Sequence, residues 1–131
     1  MKRIVWLLLA VPMFFSLSCS PDSTLGVLFD PPNCEITSLQ KEDASPGQFA
    51  KFVITVKNGG SGATAYNVTC LVKLKNGNTI IDRGSAYFGS LNTGESAVAE
   101  AWFSNITSQD QYQSYDITLY WYDAQGGYYS N

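Results

Sequence analysis

Apolar and polar side chains alternate with a period of two from Tyr66 to Lys75. Tyr66, Val68, Cys70, Val72 and Leu74 fall on one side, and Asn67, Thr69, Leu71, Lys73 and Lys75 on the other. Successive side chains of an extended backbone point to opposite faces, so this spacing predicts a strand with one buried side. An amphipathic helix needs apolar residues three and four apart. No window from Cys34 onward sustains that spacing, which predicts a domain with essentially no helix.

The same alternation recurs. Cys34 and Ile36 alternate with Glu35 and Thr37. Phe52, Ile54 and Val56 oppose Lys51, Thr55 and Lys57. Ala97, Ala99, Ala101 and Phe103 oppose Val98, Glu100 and Trp102. Tyr115, Ile117, Leu119 and Trp121 oppose Asp116, Thr118, Tyr120 and Tyr122. Two shorter strands are expected at Thr79–Ile81 and around Ala86–Leu91, and a terminal hairpin at Tyr128-Tyr129. Turn signals separate them: Ser45-Pro46-Gly47, Asn58-Gly59-Gly60-Ser61-Gly62, Asn76-Gly77 (a type I′ signal) and Asn92-Thr93-Gly94-Glu95. Short strands at such intervals predict a sandwich or barrel. A stretch of roughly 100 residues matches an immunoglobulin-like β-sandwich of about seven antiparallel strands. The expected sandwich domain is 34–131.

The first residues have a different pattern. Lys2 and Arg3 precede an apolar run from Ile4 to Leu17. This is shorter than the ~20 residues that span a bilayer. A basic start, a short apolar run and small residues after it form an export signal. Ser16-Leu17-Ser18-Cys19 resembles the lipobox of bacterial lipoproteins, in which a small residue precedes a lipid-modified cysteine. The resemblance implies a signal peptide over 1–18, lipidation of Cys19, a tether over 19–33 and attachment to the bacterial cell envelope. The expected site is the outer membrane, on its periplasmic or surface side. Within the tether, Leu25, Val27, Leu28 and Phe29 form an apolar group that either docks as an edge strand or packs loosely.

Loss of residues 1–18 leaves 6 basic residues against 11 acidic ones, a net charge of −5. That balance excludes nucleic acid as an expected partner, because phosphate neutralisation needs Lys and Arg. Setting Cys19 aside leaves Cys34 and Cys70 as a candidate disulfide. In an exported chain such a bridge persists, and closing about 35 residues contributes roughly 3–4 kcal/mol. The alternative is two buried thiols.

The chain has no histidine, which removes the commonest general acid/base near neutral pH. It has no paired CxxC, HExxH or DxDxDG spacing, and no phosphate-binding loop with its lysine. No catalytic residue, metal site or cofactor is expected. The candidate binding residues are aromatic: Trp102, Tyr120 and Tyr122 fall on solvent-facing sides, and would form one patch if their strands were neighbours. Exposed apolar patches mark binding sites, although aromatics also pair across strands for stability alone.

Ser45-Pro46-Gly47-Gln48 followed by a strand ending in Val56-Lys57-Asn58-Gly59-Gly60 resembles bacterial CARDB-type and FxLYD-type modules. Ala65-Tyr66-Asn67-Val68-Thr69, Lys75-Asn76-Gly77-Asn78 and Leu91-Asn92-Thr93-Gly94-Glu95-Ser96 continue the likeness. At Leu74-Lys75 the chain departs from the FxLYD pattern, where a Tyr-Asp pair would stand. The resemblance implies a non-catalytic adhesion or binding module that contacts a protein or polysaccharide. A structural spacer or subunit of a surface assembly is the alternative, and a proteinaceous inhibitor the second.

Overall fold

A computed structural model describes residues 30–131. The signal over 1–18, Cys19 and the apolar group Leu25–Phe29 lie outside the described residues. Seven strands form two antiparallel sheets: β1 (Cys34–Glu42), β2 (Lys51–Asn58), β3 (Ala65–Asn76), β4 (Thr79–Leu91), β5 (Ser96–Trp102), β6 (Ser114–Tyr122) and β7 (Tyr128–Ser130). One sheet has the order β1-β2-β5 and the other β4-β3-β6-β7. The chain changes sheet after β2, after β4 and after β5. Relative to the seven-strand immunoglobulin constant arrangement, the fourth strand sits in the second sheet instead of the first. The only helical turn among the described residues is a 3₁₀ segment, Gln109–Gln111.

The inner faces are those the alternation marks. Phe52, Ile54 and Val56 of β2 face Val68, Cys70, Val72 and Leu74 of β3 in one buried core, with Ala101, Phe103, Leu119 and Trp121. Phe52 anchors one end, edge-to-face with Phe103 at 5.0 Å and with Tyr115 at 5.3 Å. Such pairs contribute about 0.5–1.5 kcal/mol beyond the area they bury.

Several local expectations change. A bulge between Ile36 and Ser38 resets the parity of β1, so that Ile36 and Leu39 both pack on the core and the strand continues to Glu42. The β3–β4 hairpin pairs Asn76 with Thr79, which makes Gly77 and Asn78 its central residues. Gly77 has φ 59° while Asn78 is not left-handed. Glycine at the first central position is the type II′ pattern, not the I′ expected from Asn-Gly. The two short strands expected after this turn are one, β4. Its continuity depends on Asp82 and Gly84. Asp82 is buried, and its carboxylate accepts from the backbone N–H of Arg83 (2.8 Å) and of Asn105 (2.6 Å). A Cβ on Gly84 would lie 2.8 Å from the Trp102 carbonyl oxygen and 2.9 Å from the Phe103 ring, so only glycine lets β4 pass this close to the end of β5.

One buried polar side chain joins the loops at the far end. Asn58 Oδ1 accepts from the N–H groups of Asn33 (3.2 Å) and Gly60 (3.1 Å). Its Nδ2 donates to the carbonyls of Ala63 (2.8 Å) and Leu91 (3.0 Å). An Asn amide can fill two acceptor and two donor sites, and all four are filled here. The Asn58 backbone also bonds to Glu95 and Gly94 in the β4–β5 turn. Cys34 and Cys70 are both free, fully buried thiols in this structure, so the candidate bridge is not formed. Burial pushes their pKa values up to about 11 and about 12 respectively, because a thiolate is poorly solvated among apolar side chains.

Candidate functional site

Trp102, Tyr120 and Tyr122 do not form one patch. The last residue of β5 pairs with Lys51 of β2 in the three-stranded sheet, whereas β6 pairs with β3 and β7 in the other. The chain crosses between sheets after β5, so the two strands are not neighbours. Trp102 lies on the opposite side of the molecule, beside Lys51, whose Nζ sits 4.8 Å from the indole centroid. That ammonium is itself held by Glu100 at 2.6 Å and Glu42 at 3.4 Å. The Glu100 hydrogen bond raises the Lys51 pKa above its ordinary value, and the Lys51 contact lowers that of Glu100. Trp102 is thus tied into a surface ion-pair cluster.

Tyr120 and Tyr122 gain different companions. The short strand β7 places Tyr128 opposite Tyr122. Tyr128 stacks on Tyr120 at 5.9 Å and meets Tyr122 at 5.6 Å, with Tyr120 and Tyr122 6.4 Å apart. Their partner across β3 is Tyr66, which pairs with Tyr122. Alternation puts Tyr66 inside, but a bulge between Ala65 and Val68 turns it out, and it is 39% exposed. Asn67 carries the bulge at φ 52°. Asparagine tolerates this left-handed backbone better than most residues. Tyr87 of β4 lies across Thr69 from Tyr120, is 63% exposed and donates through its hydroxyl to Asn67 Oδ1 at 3.2 Å. Five tyrosines therefore occupy one half of this outer face.

An open groove of about 550 Å³ runs along this half, lined by Tyr66, Asn67, Tyr122, Asp123, Ala124 and Gly126. Its volume falls in the ~300–1,000 Å³ span of small-ligand sites. A second groove of about 480 Å³ adjoins it, sharing Tyr66, Asp123 and Ala124 and continuing past Pro31, Thr64 and Gln125. The floor is rigid. Below it Trp121 donates through its indole N–H to the Pro32 carbonyl at 2.9 Å and stacks on Tyr129 at 6.1 Å. Asp123 closes the β6–β7 turn: its carboxylate accepts from the N–H groups of Gly127 (2.7 Å) and Gln125 (2.9 Å) and from the Tyr129 hydroxyl (2.9 Å). The Gly127 bond, followed by the others, holds the Asp123 carboxyl below its usual value.

Of the groove and the tyrosine face beside it, the sequence pattern marks Tyr122 in the lining and Tyr120 on the face, and misses Tyr66 and Asn67 in the lining and Tyr87 on the face. The usable signal was Asn67, a residue suited to positive φ in the middle of an apolar alternation. Among the described residues no group of three or more potential metal ligands exists. Fold and groove together define an all-β sandwich with an aromatic groove at one end of its larger sheet. No family model, curated protein or solved structure matches the chain.

Proposed function

We propose that this protein is an envelope-anchored, non-catalytic binding module, a lipoprotein of the CARDB-like adhesion type at the outer membrane. Its contact surface is the tyrosine half of the four-stranded sheet, and its partner is a protein or polysaccharide. The observation that carries this reading is the position of the groove. Tyr66 and Tyr122 line it, Tyr87, Tyr120 and Tyr128 continue the same outer face beside it, and side chains with apolar bodies and polar tips suit binding surfaces. Pro31 lines the adjoining groove, so the chain that leads back to Cys19 leaves from the same end. Ten residues lie between Cys19 and Asp30, a reach of at most ~40 Å when fully extended. A lipid at Cys19 therefore keeps the groove near the membrane surface.

Two measurements test it. Mass spectrometry of the exported protein should find an acylated Cys19 at the mature N-terminus; an unmodified Cys19 would remove the anchor. Retention on isolated native envelope should fall for Tyr120→Ala and Tyr122→Ala and stay unchanged for Trp102→Ala. Equal retention of all three variants would leave only the spacer role.

A further inference from the structure

The groove also carries information about the chemistry of its occupant. We propose that it takes an uncharged polysaccharide chain, lying along both grooves across Tyr66; this rests on the binding reading above. Three observations converge. First, no Lys or Arg lines either groove. Asp30 and Asp123 are the acidic groups there, and Asp123 already accepts three hydrogen bonds. A uronic acid or phosphate would meet carboxylates and no counter-charge, in a domain that is acidic overall.

Second, the strands beneath have no free backbone ladder. Under the tyrosine half, β3 is paired on both sides, by β4 and β6, and Tyr120–Tyr122 of β6 on both sides, by β3 and β7. A peptide that adds to a sheet needs an open edge, and this surface lies on the face, not the edge. Contacts must come from ring faces and side-chain polar groups. A sugar ring supplies the complement, with C–H faces for tyrosine rings and hydroxyls for their polar tips. Asn67 adds direction. Its Oδ1 is taken by the Tyr87 hydroxyl, so its amide Nδ2 is the donor left for a sugar hydroxyl. Third, the two grooves are continuous through Tyr66, Asp123 and Ala124. An extended chain of several sugar units fills that shape better than a single unit.

The test uses the purified protein and immobilised native envelope treated in separate portions with protease or with periodate, which cleaves vicinal diols. Binding is expected to survive protease and be lost after periodate. It should change less than twofold between low salt and 0.5 M NaCl, since screening weakens only charged contacts. Tyr66→Ala and Asn67→Asp should each lower it at least tenfold, with unchanged thermal unfolding. Loss on protease treatment, or survival of periodate, overturns the polysaccharide assignment while the tyrosine surface stands. Loss in 0.5 M NaCl overturns the uncharged chemistry. No retention of the wild-type protein on untreated envelope removes the binding reading itself and this proposal with it.

Discussion

Trp102, on the outer face of the three-stranded sheet, lies under a lysine whose charge two glutamates hold. Tyr120, Tyr122 and Tyr128, on the outer face of the four-stranded sheet, lie against one another, and Tyr122 lines an open groove with Tyr66. Both groups are exposed aromatics on strands, and composition cannot separate them. Their neighbours can. An aromatic whose face is occupied by a cation belongs to the surface of the fold. Aromatics that stack on one another with no cation over their rings leave their remaining faces to a partner.

The sharpest way to break this contrast is to remove what stands under one face alone. Asn58 ties together Asn33, Gly60, Ala63 and Leu91 at the groove end and nothing near Trp102. Asn58→Leu strands several buried backbone groups, each at a cost of about 1–3 kcal/mol, so a loss of about 3 kcal/mol or more is expected in chemical denaturation. Amide exchange should accelerate first at 59–64 and 91–95. Uniform acceleration, including the Lys51 end, would show that the two ends share one support. Next comes exchange of roles between the faces. Tyr122→Ala should lower envelope binding about tenfold with stability within ~1 kcal/mol. Trp102→Ala should leave binding intact and cost about 0.5–1 kcal/mol through the lost lysine contact. The opposite pattern would reverse the assignment.

The folded alternation was fully legible in the sequence for β2, most of β3, β5 and β6, because a dry inner face imposes its period on every strand that borders it. It failed where the backbone departs from two residues per repeat. The bulges at Ile36/Ser38 and Ala65/Val68 shift parity by one, and the second of these moves Tyr66 from the expected interior to the groove. Strand adjacency was equally hidden: nothing in Ala97–Phe103 or Tyr115–Tyr122 says that they belong to different sheets, and that fact alone splits Trp102 from Tyr120 and Tyr122. The Asn58 cluster appeared as a turn signal because hydrogen bonds to Leu91 and Asn33 span distances the local pattern does not encode.

A smaller effect sharpens the groove side of the contrast. The Asp123 carboxyl is held below its usual value in the folded protein. Its stabilisation of the β6–β7 turn is therefore complete above the unfolded carboxylate value, about 3.9, and is lost as pH falls through the lower folded value. The Gly127 amide resonance should shift with a midpoint under pH 3.9, and Asp123→Asn should abolish that transition. A midpoint at or above the ordinary value would mean the turn does not depend on the ionised group. The least effect is expected at the thiols. With pKa values near 11 and 12, Cys34 and Cys70 should resist a thiol reagent at pH 8 in the native protein. Both should react after unfolding without reductant; failure to react then would reveal a bridge.

The hydrogen bonds from the Trp121 indole to the Pro32 carbonyl and from the Asn33 N–H to Asn58 Oδ1 join the incoming chain to the sandwich at the groove end, and Asn131 closes the same end through the Cys34 carbonyl. If the proposed lipid and polymer are both engaged, tension between them passes along the rim of the molecule, from Pro32 to Tyr66, without running the length of the paired strands. The sandwich would bear mechanical load as a hook does, at its bend, and its interior could stay only as stable as folding itself requires.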